Sequence, residues 1–171
     1  TALQMNGPVL LRYPRGRSNG FNMTEQPELL PVGRGEWMRP GGELVFLAVG
    51  SMVQTAMKAA ELLEAKGIRA GVVNARFIKP LDEELLLAVA KQARWIVTLE
   101  ENSLMGGFGS AVLESLNCAG IVGPRILRQG LPDSFVEHGS REELLGCLGL
   151  DPEGVAQGAQ PGLARDFVHR T

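Results

Sequence analysis

The chain has 171 residues, 44% of them hydrophobic and 21% charged, with 17 Lys+Arg against 19 Asp+Glu, 22 Gly, 10 Pro and 2 Cys. That length suits one domain with short additions, and the balance of apolar and charged residues is that of a chain with a core, not of a disordered one. A net charge of -2 without any Lys/Arg run gives no field to gather nucleic acid. No apolar stretch approaches the roughly 18 residues of a membrane helix, and TALQMNGPVL has neither the basic start nor the apolar core of a signal peptide. The expectation is a cytoplasmic chain with no nucleic-acid partner and no membrane. Cys118 and Cys147 stand alone, without CxxC or histidine at metal-ligand spacing, and read as buried thiols.

In chain order, PVLLRY (8–13) reads as one strand that ends at Pro14. A single strand cannot bury a face, so residues 1–13 are expected to complete a sheet of another domain. The stretch RGRSNGFNMTEQPELLP has no periodicity of either kind and reads as a linker. From Val32 onward the pattern is regular. Gly35–Arg39 can supply an antiparallel edge strand, and the continuous apolar run ELVFLAVG (43–50) predicts a strand covered on both faces. Ser51 with Gln54 predicts a capping box opening a helix to about Lys66, with apolar Val53, Ala56, Met57, Ala59, Ala60 and Leu63 on one side and Gly67 closing it.

Arg69–Ala75 is a second buried strand, so a right-handed parallel crossover is expected. Pro80 and Asp82 open a helix through Gln92, RWIVTLE (94–100) is a third strand, GGFGSAVLESLNCAG a third helix, and Pro124–Arg128 a fourth strand. Ser140 with Glu143 predicts a second capping box over a helix at Glu142–Leu148. Beyond Asp151, Gly154, Gly158, Pro161 and Gly162 argue against a long stable helix. Strands alternating with helices make an open, mostly parallel α/β sheet with helices on both faces and one antiparallel edge strand.

TLEENSLMGGFGSA (98–111) is the segment that looks like a site, because it lies where a buried strand emerges at the edge where such sheets bind ligands. Gly106, Gly107 and Gly109 lead into a helix whose free N–H groups could hold an anion. The dinucleotide pattern is incomplete, since Val112 stands where its third glycine belongs, and no GK[ST] occurs in the chain. Glycines that let the loop pack closely on the sheet are the competing reading. Glu100 and Glu101 are adjacent in a strand and point to opposite faces, so they do not converge on one substrate atom; a cap or a basic partner is expected for at least one. His138, near Asp133 and Glu137, reads as a surface loop residue, and His169 sits in the tail. No nucleophile with a base partner is visible. Arg12 and Arg15, spaced by Pro14, lie at a strand end, where a guanidinium suits bidentate capture of phosphate or carboxylate; a solvated loop pair is the competing reading.

Taken together, PVLLRYPRG, LPVGRGE, NARFIKPLDEELL, TLEENSLMGGFGSAVLE and GLPDSFVEHGSREELL resemble, in this order and spacing, the C-terminal part of the 1-deoxy-D-xylulose-5-phosphate synthase family, thiamin-diphosphate-dependent members of the transketolase group. The resemblance runs from about Gly7 to Leu150. RFIKPLDEELL and EENSLMGGFGSAV separate it from the more distant transketolases and the 2-oxoacid dehydrogenase β subunits.

The resemblance implies a three-domain homodimeric enzyme that condenses pyruvate with glyceraldehyde 3-phosphate and releases carbon dioxide, on the way to isoprenoids, thiamin and pyridoxal phosphate. In that family the first domain holds magnesium and the diphosphate through a GDG motif, and the second supplies the glutamate that activates the cofactor. No Asp here is flanked by two glycines. The resemblance therefore assigns 1–16 to the end of the second, pyrimidine-binding domain, 17–32 to a linker, 33–150 to the transketolase C-terminal domain and 151–171 to a tail. It implies a C-terminal fragment that is inactive alone and is partnered by the missing N-terminal and middle domains, with thiamin diphosphate and Mg2+ bound by those domains.

Arg15 resembles the arginine that binds the phosphate of glyceraldehyde 3-phosphate, and Arg12 is its structural neighbour. No catalytic, cofactor-binding or metal-binding residue is assigned to this chain. RGRSNG stands where the family often has RGN directly after the arginine. The alternative to the fragment is a free-standing noncatalytic α/β module that binds an anionic ligand or a protein partner through the loop at Gly106 to Gly109.

Overall fold

A computed structural model describes residues 1–13 and 28–160. Strands β1 (Glu36–Arg39), β2 (Leu44–Ala48), β3 (Ala70–Asn74), β4 (Trp95–Ser103) and β5 (Arg125–Leu131) form one sheet in the order β1-β3-β2-β4-β5. The pairs β2–β3, β2–β4 and β4–β5 are parallel, and β1 lies antiparallel on β3 at the edge. All five residues of β2 are buried, as the unbroken apolar run requires of a central strand with both faces covered.

The helices are α1 (Met52–Glu64), α2 (Glu83–Gln92), α3 (Phe108–Cys118), α4 (Arg141–Cys147) and α5 (Pro152–Gly158). On one face of the sheet, Leu44, Phe46, Val72, Val97 and Leu99 pack with Met52, Ala56, Ala60 and Leu63 of α1, Leu145 of α4, and Val155 and Ala156 of α5. On the other, Val45, Leu47, Val73 and Ile96 pack with Leu86 and Val89 of α2 and with Phe108, Val112 and Leu116 of α3. This division follows from the connections. The chain steps from β2 to β3 in one direction, then back across β2 to β4 and onward to β5, and right-handed crossovers in opposite directions place their helices on opposite faces.

Local signals explain most helix ends. Gly67 takes a positive φ of 78° while the N–H of Ile68 reaches back to Leu63 O at 2.9 Å, a Schellman-type stop. Asp82 caps α2 by accepting from Leu85 N at 3.0 Å, and its other oxygen accepts from Gly35 N at 3.0 Å, so one carboxylate joins the start of α2 to the start of β1. Ser140 and Glu143 form the expected capping box on α4.

The PVLLRY segment, expected to complete a sheet of another domain, pairs with no strand of this one among the described residues, and Leu10 and Tyr13 are exposed. Two expectations need correction. Ser51 does not form a side-chain cap on α1, because its own backbone is already helical at φ -59° and ψ -25° and its hydroxyl is bonded to a carboxylate described below. Cys118 and Cys147 are exposed; each sits two positions beyond a buried leucine, Leu116 or Leu145, and so falls off the apolar stripe of its helix. The glycines beyond Asp151, which argue against a long helix, leave room for a short one. Asp151 caps α5 through Gly154 N at 2.8 Å, and Val155, Ala156 and Ala159 enter the core against α1.

Val155 is fully buried. Val155→Ala should therefore cost about 2 kcal/mol in urea unfolding, the transfer loss of two methyl groups plus a small cavity. An effect within a few tenths of zero would mean that α5 is an appendage and not part of the core.

Candidate functional site

Strand β4 outruns its central neighbour. It pairs with β2 only as far as Leu99, opposite Ala48, then continues beside β5 to Ser103 with an irregular register. Glu100 and Glu101 thus emerge at the carboxyl edge between β2 and β4. The helices that follow these two strands depart to opposite faces, which makes this the topological switch point where open α/β sheets form a ligand crevice.

The pleat of β4 sends the two carboxylates apart. Glu100 turns to the α3 face, is 1% exposed, and accepts from Phe108 N at 2.7 Å and Gly109 N at 2.8 Å, one bond to each oxygen. These amides belong to the first turn of α3, where free N–H groups and the helix dipole favour a negative charge. The glycines make room for it. A Cβ on Gly107 would overlap the Glu100 carboxylate and the Ser103 carbonyl, and one on Gly109 would lie 2.6 Å from Thr98 Oγ1. Close packing of the loop on the sheet is therefore what these residues accomplish, and the helix N-terminus holds an anion supplied by the chain itself.

Glu101 turns to the α1 and α4 face. Arg141 donates from Nε to Oε1 at 2.8 Å and from Nη2 to Oε2 at 2.5 Å, a bidentate pair, and Ser51 Oγ donates to Oε2 at 2.8 Å. Its main-chain carbonyl accepts from Arg12 Nη2 at 3.3 Å. The bonds from Arg141 hold the Glu101 carboxyl below its ordinary value against the opposing effect of burial, helped by the Ser51 hydroxyl and by the charges of Arg141 and Arg12. The same pairing raises Arg141. Nearby, the Ser140 hydroxyl and amide hold Glu143 below the ordinary range.

A guanidinium that the residue pattern alone did not single out lies along the same edge. Arg76, just past β3, has φ 54°, a left-handed backbone that a long side chain adopts only when its surroundings hold it there. Asn74 Oδ1 accepts from Arg76 N at 3.1 Å, and the Arg76 side chain pairs with Glu36 of β1. The signal that could have found it is its place, an arginine directly after a buried strand at the ligand edge; its φ is not legible from residue types.

His138, Asp133 and Glu137 are exposed on the 132–139 loop between β5 and α4. Arg15 and His169 lie outside the described residues. The described residues do not fit a thiamin diphosphate–magnesium site. Among them no group of three His, Cys, Asp or Glu could hold a metal ion, and the α3 amides that could meet a diphosphate are taken by Glu100. Among the described residues no helix is long and apolar enough to cross a membrane.

Two outcomes follow. Glu100→Ala should cost about 2–4 kcal/mol in chemical unfolding, since it leaves two buried N–H groups without a partner. Glu101 has a depressed folded pKa, so its contribution is present above the ordinary glutamate value of about 4.3 and is lost as pH falls through the lower folded value. Arg141→Ala should therefore destabilise by about 1–2 kcal/mol at pH 7, and the gap from the parent chain should narrow in urea melts taken near pH 3. A gap that stays constant with pH would show that the pair does not carry the effect.

Residues 33–155 match the family model described as transketolase, C-terminal domain. The chain is 46% identical over 164 residues to 1-deoxy-D-xylulose-5-phosphate synthase 1 of Geobacter sulfurreducens, covering 96% of this chain and 26% of that protein. It is 53% identical over 152 residues to 1-deoxy-D-xylulose-5-phosphate synthase of a Synechococcus species, covering 88% and 23%. The chain thus spans about a quarter of the length of the curated relatives it matches. Among solved structures, a split gene transketolase described as an inactive beta4 tetramer matches with TM-score 0.72 and 36% identity over 79% of this chain and 44% of that one. A transketolase variant from Pichia stipitis matches with TM-score 0.56 and 25% identity over 78% and 18%. With its open sheet, its central parallel strands and this match over most of its length, the chain belongs to the transketolase C-terminal domain family.

Proposed function

We propose that this chain is the C-terminal part of a 1-deoxy-D-xylulose-5-phosphate synthase, the enzyme that joins pyruvate, after loss of its carboxylate as carbon dioxide, to the aldehyde of glyceraldehyde 3-phosphate. The observation that carries this reading is identity of 46% to 53% to such synthases over 88% to 96% of the chain. In this reading residues 1–16 close the sheet of the second domain, 17–32 are the linker, and the sheet with its helices is the third domain. The exposed apolar side chains of Leu10, Leu11 and Tyr13 agree with a segment made to be covered by another sheet. Thiamin diphosphate and magnesium then belong to the remaining three quarters of the enzyme, and this chain contributes domain packing, dimer contacts and the Arg15 guanidinium for the substrate phosphate.

The alternative, a free-standing module that takes an anionic ligand at the Gly106 to Gly109 loop, is opposed by the Glu100 carboxylate already seated on the α3 amides. An external phosphate there would meet a buried like charge.

The 171-residue chain supplied with thiamin diphosphate, magnesium, pyruvate and glyceraldehyde 3-phosphate should show no carboligation, and turnover above background would end the fragment reading. In the complete enzyme, Arg15→Ala should lower kcat/KM for glyceraldehyde 3-phosphate by about 10- to 100-fold, the loss of a charged hydrogen bond of about 1.5–3 kcal/mol. An unchanged kcat/KM would remove Arg15 from the substrate site.

A further inference from the structure

The parallel strands end at one edge of the sheet, and the turns that follow three of them carry exposed apolar side chains: Ile78 after β3, Met105 after β4, and Phe135 with Val136 after β5. At the opposite edge, among the described residues, the turns show one, Val122. Phe135 is fully exposed and Met105 is 67% exposed. A single surface leucine needs no explanation, but a phenylalanine with its whole ring in water, together with a methionine and a valine, has the composition of an interface centre.

The turns after β4 and β5 belong to one surface. Ser103 pairs with Leu131, and Leu104 N donates to Leu131 O at 2.9 Å, so Met105 and Phe135 stand one and four residues beyond a shared hydrogen bond. The turn after β4 is braced on both sides of Met105. Leu104 O accepts from Arg128 Nη1 at 2.8 Å and from Ser110 Oγ at 3.0 Å, and Gly106 N donates to Ser110 Oγ at 3.1 Å. The 132–139 loop is fixed at its far end by the capping box of Ser140 and by Arg141 on the Glu101 carboxylate. An apolar patch on a framework held in this way loses little freedom when it is covered, which favours binding.

The position of the arm indicates what covers the patch. Arg12 donates to the Glu101 carbonyl at 3.3 Å, and the neighbouring Tyr13 is exposed, so the arm reaches the same sector of the edge. In the reading proposed above, the arm closes the sheet of the second domain, which brings that domain to the end of β4. The chain spans 26% and 23% of two synthases that it matches, leaving about three quarters of such a polypeptide to meet it. A domain tethered at this point has an effective concentration on the order of mM, so a few side chains around one aromatic anchor suffice to hold it.

We propose that the surface formed by Met105, Phe135 and Val136 docks the second domain of the same polypeptide, with the Phe135 ring entering an apolar pocket of that domain. This rests on the C-terminal-fragment reading and adds to it the face through which the two domains meet.

Hydrogen exchange of the complete enzyme and of the 171-residue chain tests the docking. Amides of residues 133–139 should exchange at least about 10-fold more slowly in the complete enzyme, while those of the 119–124 turn at the opposite edge should exchange equally in both. Phe135→Asp in the complete enzyme should return the loop to the rate of the 171-residue chain. Phe135 is exposed in this chain, so the same substitution in the 171-residue chain should leave its urea midpoint unchanged, which keeps the result readable. With p-benzoylphenylalanine at position 135, irradiation of the complete enzyme should link the loop, within one polypeptide, to residues that precede this chain. Equal exchange of the loop in the two proteins overturns the docking, as does protection that survives Phe135→Asp. A crosslink that doubles the mass on a denaturing gel also overturns it, because a second copy then covers the patch. Carboligation by the same preparation separates the two ideas: an active complete enzyme with an unprotected loop sinks the docking alone, whereas a complete polypeptide without carboligation sinks the fragment reading.

Discussion

The pleat of β4 at its carboxyl end is the constraint from which the site region follows. Successive side chains in a strand point to opposite faces, so two adjacent glutamates at the exit of a central strand must serve two different layers. Glu100 enters the layer of α2 and α3 and becomes the anion at the start of α3. Glu101 enters the layer of α1, α4 and α5 and becomes the partner of Arg141 and Ser51. A register slip of one residue would exchange these roles, placing Glu101 against the α3 amides and leaving Arg141 to face a carboxylate on the wrong side of the sheet. The closely packed glycines stand against such a slip. Gly107 is cut to fit the Glu100 carboxylate, and Gly109 is cut to fit Thr98, two residues earlier on the same face of the strand.

The same alternation explains why a fold with the architecture of a nucleotide-binding sheet does not present a nucleotide site here. In open α/β sheets the switch point is useful because free helix amides and an empty crevice coincide there. In this chain the amides are used internally. A buried carboxylate is costly unless its oxygens are bonded, and Glu100 meets that condition with one amide on each oxygen and a helix dipole behind them. Beside it, the Glu101 carboxylate is engaged by Ser51 and Arg141. Two further arginines lie at this edge: Arg12, bonded to the Glu101 carbonyl, and Arg76, paired with Glu36 on its strained turn.

Much of this was legible in residue types. The apolar runs of β2 to β4, the caps at Asp82 and Ser140 and the glycine stop at Gly67 are local features whose chemistry is complete within a few residues, and each appears where the pattern placed it. Opposed roles for Glu100 and Glu101 were also legible, because strand alternation is local. Their partners were not. Arg141 lies 40 positions from Glu101, and Ser51 carries an N-cap signature that a carboxylate 50 positions away overrides. A charge-assisted bond to a part-buried carboxylate is stronger than a neutral bond to a helix amide, so long-range chemistry displaced the local preference. The short helix α5 was hidden for the opposite reason. Its glycines lower helix propensity, but burial of Val155 and Ala156 against α1 outweighs a propensity penalty of roughly 1 kcal/mol for each glycine.

The arm shows how far local pattern carries. PVLLRY has every mark of a strand, yet the described residues 8–13 lie along no strand of this sheet. β propensity expresses packing on a pleated, half-buried surface more than a backbone preference, so a segment denied that surface has no reason to hold strand geometry. Its apolar side chains stay exposed, and the contact described for it at the sheet edge is polar, from Arg12 to the end of β4. That division is physically coherent. In the reading proposed above, the apolar residues of the arm would meet another sheet, while Arg12 meets the end of β4. Apolar attachment is insensitive to ionic strength, whereas the guanidinium contact is screened and directional.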